Sequence, residues 1–233
     1  MLKYKKKQRF LKRGSKISLG ALIVLEVAAI MVGVMLGFGM NEWRENRQNK
    51  EIAERALESV ASEMASNHIR IVQVFDYYHG IVQQIDSLRS ETGNDWQDMY
   101  GYQLRDWTGA APPMLRSYSY QTMLSTGVVK DIPFETANSL AGIYNLQLLV
   151  ENLDQSAIDS FIRDSGFAAL PTIRHMFDLY VQILPGLMGY YQEYGVPALK
   201  DFGYHLALQD GTLKDVVTEQ MKSLETFDLQ DYN

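Results

Sequence analysis

Four histidines, many scattered carboxylates and one acid inside an apolar run are the side chains of this 233-residue chain that could do chemistry. His68, His79, His175 and His205 fall in no His-Glu-x-x-His pattern, the spacing that sets two imidazoles on one helix face around zinc. Asp76 with His79, and His175 with Asp178, stand three residues apart and so share a helix face. Such a pair is half of a metal site or a solvated surface contact. Ser125-Thr126-Gly127 reads as a helix end rather than a strained nucleophile turn, and no Gly-x-Ser-x-Gly, Walker loop or dinucleotide fingerprint occurs. The absence of cysteine removes disulfides, thiol catalysis and thiolate metal sites. These residues imply no catalytic group, no metal and no cofactor. The one oddly placed acid is Glu26.

Glu26 lies in Ile17 to Met40, 24 residues with no other ionisable side chain. At about 1.5 Å per residue such a helix is about 36 Å long, enough to cross a ~30 Å hydrocarbon core with some tilt. Its Leu, Ile, Val and Phe residues contribute roughly -4 to -7 kcal/mol to insertion, against about +3 kcal/mol for one central acid. The apolar term wins. A cleaved signal peptide would have a shorter apolar core and a small-x-small cleavage site. This run instead continues into Asn41-Glu42-Trp43-Arg44, so an uncleaved anchor is expected.

Charge orients the anchor. The net charge of -6 hides an asymmetry, because residues 1–16 hold eight of the 22 Lys and Arg and no acid. Lys3, Lys5, Lys6, Lys7, Arg9, Lys12, Arg13 and Lys16 precede the span, against Arg44, Arg47, Lys50 and Arg55 after it. That excess predicts a cytoplasmic N-terminus and an extracytoplasmic remainder, with the span in the cytoplasmic (inner) membrane. The basic tail is expected on anionic lipid headgroups through Lys5, Lys6, Lys7, Arg9, Lys12 and Arg13, rather than on nucleic acid. Trp43 suits the far membrane interface.

Ala29, Gly33 and Gly37 repeat every four residues, and Glu26 projects from the same face. Small residues let membrane helices approach closely, and an acid on that face is shielded by protein rather than left in lipid. A homo-oligomer or another membrane protein is the expected partner of this face. The alternative is a neutral glutamic acid that is merely tolerated.

Glu26, Gly33 and Asn41-Glu42-Trp43-Arg44-Glu45-Asn46 together resemble the anchor of a family of short bacterial single-span membrane proteins, whose anchor ends in an Asn-x-Trp-Asn-Glu-like motif. A second matching stretch is "SYSYQTMLSTGVVKDIPFETANSLAGIYNL", at Tyr120, Leu124, Gly127, Ile132 and Tyr144. The two stretches cover about a quarter of the chain, in the family's order. Arg44 departs from the family's Asn, and Gly37 and Gly39 from its Ala and Gln, which touches the details of anchor packing. The family's function is unknown. The resemblance therefore implies an anchor and a helical extracytoplasmic domain, and no activity.

The elements around these residues read as all-α. After the basic cytoplasmic tail (1–16) and transmembrane helix (17–40), residues 41–92 read as one long stalk helix. Leu57, Val60, Met64, Asn67, Ile71, Val74, Tyr78, Ile81, Ile85 and Leu88 alternate spacings of three and four. Asn67 is the polar member of this seam. It either sets the register of a coiled coil between chains or sits inside the domain's own bundle. The helix is expected to end at Glu91-Thr92-Gly93-Asn94.

Residues 93–233 read as a helical extracytoplasmic domain. Residues 93–116 are irregular, and their Trp96, Tyr100, Tyr102 and Trp107 either line a ligand site or pin the loop. A short helix follows Ser117 or Ser119 and stops at Gly127. Another opens at Asp131-Ile132-Pro133 and runs to about Leu153. A new helix starts at Asp154 or Ser156 and ends near Gly166. Pro171 opens a longer one that Pro185-Gly186 kinks or splits, Pro197 opens a segment to about Leu208, and Thr212 caps a last helix carrying Val216, Val217, Met221 and Leu224.

The expected function is a non-enzymatic interaction or sensory module held outside the membrane. The alternative is an accessory subunit of an ion-driven membrane complex, with Glu26 carrying protons.

Overall fold

The computed structural model describes residues 19–163, 169–206 and 213–218. They form an all-α protein. Among them extended pairing is limited to one antiparallel bridge between Tyr100 and Ala169. Helix α1 runs unbroken over Leu19–Thr92, 74 residues, and stops at Gly93, whose φ of +64° is the left-handed conformation that ends helices. The basic tail lies outside the described residues.

The chain divides into two units, Met1–Asn49 and Lys50–Asn233. In the first, α1 carries a segment long and apolar enough to cross a membrane. None of its residues from 22 to 48 is buried within the chain. Leu25, Met35, Phe38 and Met40 are each about 70% exposed. Such a surface is at odds with water and suits a hydrocarbon environment.

The second unit begins well inside α1, so residues 50–92 belong with the later helices of the chain. Seam residues Leu57, Val60, Met64, Asn67, Ile71, Tyr78, Ile81 and Ile85 are buried within this chain. Ala53, Ala61, Glu63, Phe75 and Val82 are buried beside them. That stripe is wider than a two-stranded seam and is what a helix packed into a bundle requires.

Among the described residues the unit also holds α2 (Tyr118–Ser125), α3 (Phe134–Arg163), α4 (Leu170–Tyr190) and α5 (Val196–Leu199), with residues 213–218 helical as well. Helix α3 buries Leu140, Ile143, Tyr144, Gln147, Val150, Asp154 and Ala157, a single stripe at spacings of three and four. It does not break at Asp154, contrary to the sequence expectation of a helix start there. Asp154 is buried in mid-helix with its carboxylate turned to other elements, and Ser156 bonds back to the Asn152 carbonyl.

Pro185 does not split α4 either. It lies buried inside the helix, which continues to Tyr190. The missing N–H costs one helical hydrogen bond, which the packing around it outweighs. The helix then widens into a π turn at Tyr191–Gly195 before α5. Gly195 faces α1 and α3 there. A Cβ on it would lie 2.7 Å from Met64 Cε and 3.3 Å from Ile143 Cδ1, so only glycine brings the widened turn this close. Helix α5 and the 3₁₀ turn after it end at Phe202, short of the expected Leu208. Of the last expected helix, residues 213–218 are helical, with Leu213 and Val217 buried. Met221 and Leu224 lie outside the described residues.

Aromatic stacking ties α1 to α4 and to the irregular 93–116 segment. Tyr78 stacks on Phe177 at 3.8 Å between centroids, and Trp107 on the same ring at 5.8 Å. An ion pair between Arg174 and Asp86, 2.8 Å, lies at the surface between the same two helices.

Candidate functional site

Among the described residues of the second unit, a polar cluster holds the irregular stretch 113–117 and the first turn of α2 against α1 and α3. Pro113 and Leu115 point inward and are buried, whereas Met114, Arg116 and Tyr118 point outward. A backbone outside helix and sheet needs hydrogen-bond partners, and here side chains supply them.

From α1, Asn67 pairs with both polar groups of Arg116. Its amide donates to the carbonyl at 2.7 Å, and its oxygen accepts from the N–H at 2.8 Å. One turn earlier, buried Glu63 accepts from the Ser119 N–H at 2.8 Å and from the Tyr144 hydroxyl at 2.7 Å. One turn later, Arg70 donates to the carbonyls of Pro113 and Met114 at 3.5 and 3.2 Å. From α3, Gln147 donates to the Arg116 carbonyl at 3.2 Å and accepts from the Tyr191 hydroxyl at 2.6 Å. Asp154 accepts from the Met114 N–H at 3.1 Å and from the Tyr180 hydroxyl at 2.8 Å. Further up the segment, Tyr77 takes the Thr108 N–H at 3.0 Å and gives its hydroxyl hydrogen to the Gly109 carbonyl at 2.8 Å.

Met114 is the strained point. Its φ of +48° lies in the left-handed region that non-glycine residues rarely adopt. The bonds from Arg70 and Asp154 on either side of it hold that conformation.

Two clefts flank the ridge and share Arg116 and Tyr118 in their walls. One, about 660 Å³, is lined by Glu58, Ser62, Glu63 and Ser66 of α1. The other, about 380 Å³, is lined by Arg70, Glu151, Asp154 and Gln155. Burial pushes the Asp154 carboxyl up to about 6, against the Tyr180 and Met114 hydrogen bonds, which lower it. Burial also raises Glu151. The tyrosine hydroxyls facing these acids are raised too, first by burial and then by the neighbouring carboxylate, Glu63 for Tyr144 and Asp154 for Tyr180. Both carboxylates spend their oxygens on the chain's own backbone and tyrosines. The arrangement fixes a segment rather than arming a nucleophile.

Asn67 is thus a clamp within its own domain, the second of the two roles its sequence position allows. Glu26, Ala29, Gly33 and Gly37 lie exposed on the first unit, and a Cβ at Gly33 or Gly37 would meet nothing within 4 Å in this chain. Trp43 is exposed, with the Arg47 guanidinium 5.9 Å from its ring centre. The lipid-contact residues Lys5, Lys6, Lys7, Arg9, Lys12 and Arg13 lie outside the described residues. His79 stacks on Phe75, and His68 is half-buried, with burial lowering its pKa. Among the described residues no three His, Asp or Glu side chains are grouped to hold a metal ion.

Of the second matching stretch, Tyr120 and Tyr144 stack face to face at 4.1 Å, Ile132 is buried, and Gly127 takes φ +71° at the end of α2. Sequence reasoning missed Glu63, Gln147 and Asp154. The readable signal was that Gln147 and Asp154 fall on the apolar stripe of α3, where a polar residue must find a partner. Comparison of the chain with family models, with curated proteins and with solved structures finds no match.

Proposed function

We propose that this chain is a membrane-anchored interaction module that presents the Met114, Arg116 and Tyr118 ridge to a protein partner outside the cytoplasmic membrane. The observation that carries the reading is the ridge itself. Its three outward side chains are of types enriched at protein interfaces, and its backbone is held rigid by buried groups of two helices. Tyr118 is 73% exposed and Met114 54%, although both stand on this fixed backbone. Preorganisation of this kind lowers the ordering cost of binding.

The exposed apolar segment of α1 supports the anchor, and the lysine-rich start supports a cytoplasmic N-terminus with the basic tail on lipid headgroups. Glu26, Ala29, Gly33 and Gly37 then serve as the packing face for a second copy or another membrane protein. The resemblance to short single-span bacterial proteins agrees with this topology.

The test is photo-cross-linking in intact membranes, with a photoreactive residue in place of Tyr118 of the full-length chain. One discrete cross-linked protein is expected, and it should disappear when Arg116→Glu is added. No protein adduct from position 118, or adducts indifferent to Arg116→Glu, would contradict the reading.

A further inference from the structure

We infer that the outward face of α3 is a dimer seam, on which a second copy of this chain docks through its own α3. Asn138, Asn145 and Asn152 stand seven residues apart on this helix, and all three are exposed. Ala141 and Leu148 lie between them, with Gly142 and Leu149 at the next positions round. Spacings of three and four set these residues on one stripe, opposite the buried stripe that holds Leu140, Gln147 and Ala157. Leu148 is 52% exposed and Leu149 58%. Glycine weakens a helix interior, and nothing inside the chain calls for it at 142, where a Cβ would meet nothing within 4 Å. The gap above Gly142 leaves room for a second helix to come close.

Charge decides what covers the stripe. After residue 16 the chain carries 28 acidic side chains against 14 basic ones, the 22 Lys and Arg less the eight of the tail. Copies of it therefore carry a net repulsion. The stripe is free of charge over 138–156, because Glu151 and Asp154 stand off it and line the smaller cleft. Two copies can meet here with no like charges opposed, whereas a strongly acidic or basic partner would find no countercharge. Asparagine is its own complement, since its amide both donates and accepts. Asparagines repeated in a heptad seam thus suit an identical helix and fix its register. The stripe reads alike on either side of Asn145, three small or apolar positions leading to the next asparagine. A two-fold axis at that residue sets Asn145 opposite its copy whichever way the second helix runs. The seam lies on a different element from the 113–118 ridge, so either can fail alone.

The chain has no cysteine, so a single introduced one reports the contact. Membranes carrying full-length Asn145→Cys are mildly oxidised beside membranes carrying Gln192→Cys, an exposed position off α3 that reports chance collision. Asn145→Cys should form a disulfide-linked dimer at least about tenfold faster than Gln192→Cys, as a held pair does against chance encounters. Adding Leu148→Glu to Asn145→Cys places like charges on the seam and should bring the rate down to that of the control. Both positions are exposed, so neither change disturbs the core. Equal rates at 145 and 192, or a dimer indifferent to Leu148→Glu, would overturn the seam.

Discussion

Asn67→Leu is expected to destabilise the folded chain by about 3 kcal/mol, seen as a loss of roughly 6–12 °C in the melting temperature of the detergent-solubilised protein. The Arg116 N–H loses its Asn67 acceptor, and the carbonyl keeps the longer bond from Gln147. A part-buried donor left without its partner costs up to about 3 kcal/mol, and Leu brings added volume at the fully buried Asn67 position. The direction of the effect discriminates between the two roles of Asn67. In a coiled coil between chains, a polar seam residue weakens the assembly, and Leu in its place would raise stability. A higher melting temperature for Asn67→Leu would therefore contradict the clamp.

Phe177→Ala should be at least as damaging, at about 3–5 kcal/mol. Phe177 is fully buried and is the hub of a ring cluster, with Tyr78 at 3.8 Å, Trp107 at 5.8 Å and Tyr77 at 6.0 Å. Truncation removes packing from α1, α4 and the 93–116 segment together and opens a cavity between groups that cannot collapse. Tryptophan emission offers a local check. The spectrum of the variant should shift to the red, because Trp107 loses the ring that covers one face. A melting temperature within a degree or two of the natural chain would mean that these rings do not hold the unit together.

The two variants also mark what was legible in the sequence. The long apolar N-terminal helix, the helical class, the stop at Gly93 and the seam from Leu57 to Leu88 are read from composition and periodicity, which are local properties. The seam's destination was not local. Spacing says that Asn67 must be buried, but not that its partner is the backbone of Arg116, 49 residues away. Periodicity also misjudged Asp154 and Pro185, both residues that ordinarily mark a helix boundary. Each sits inside a helix here because tertiary contacts outweigh local preference: Tyr180 and Met114 for Asp154, the core for Pro185. The ridge was invisible for a similar reason. Met114 and Arg116 look like ordinary loop residues, and Tyr118 like the start of a short helix, until the side chains that fix their backbone are seen.

Anchoring in a bilayer underlies the proposed role, and alkaline carbonate washing of membranes that carry the full-length chain tests it most directly. The protein should stay in the membrane pellet with the mass of all 233 residues, because the exposed apolar face of α1 is held by hydrocarbon and not by charge. Release into the wash, or a mature chain that begins after Met40, would contradict the anchor and the role built on it.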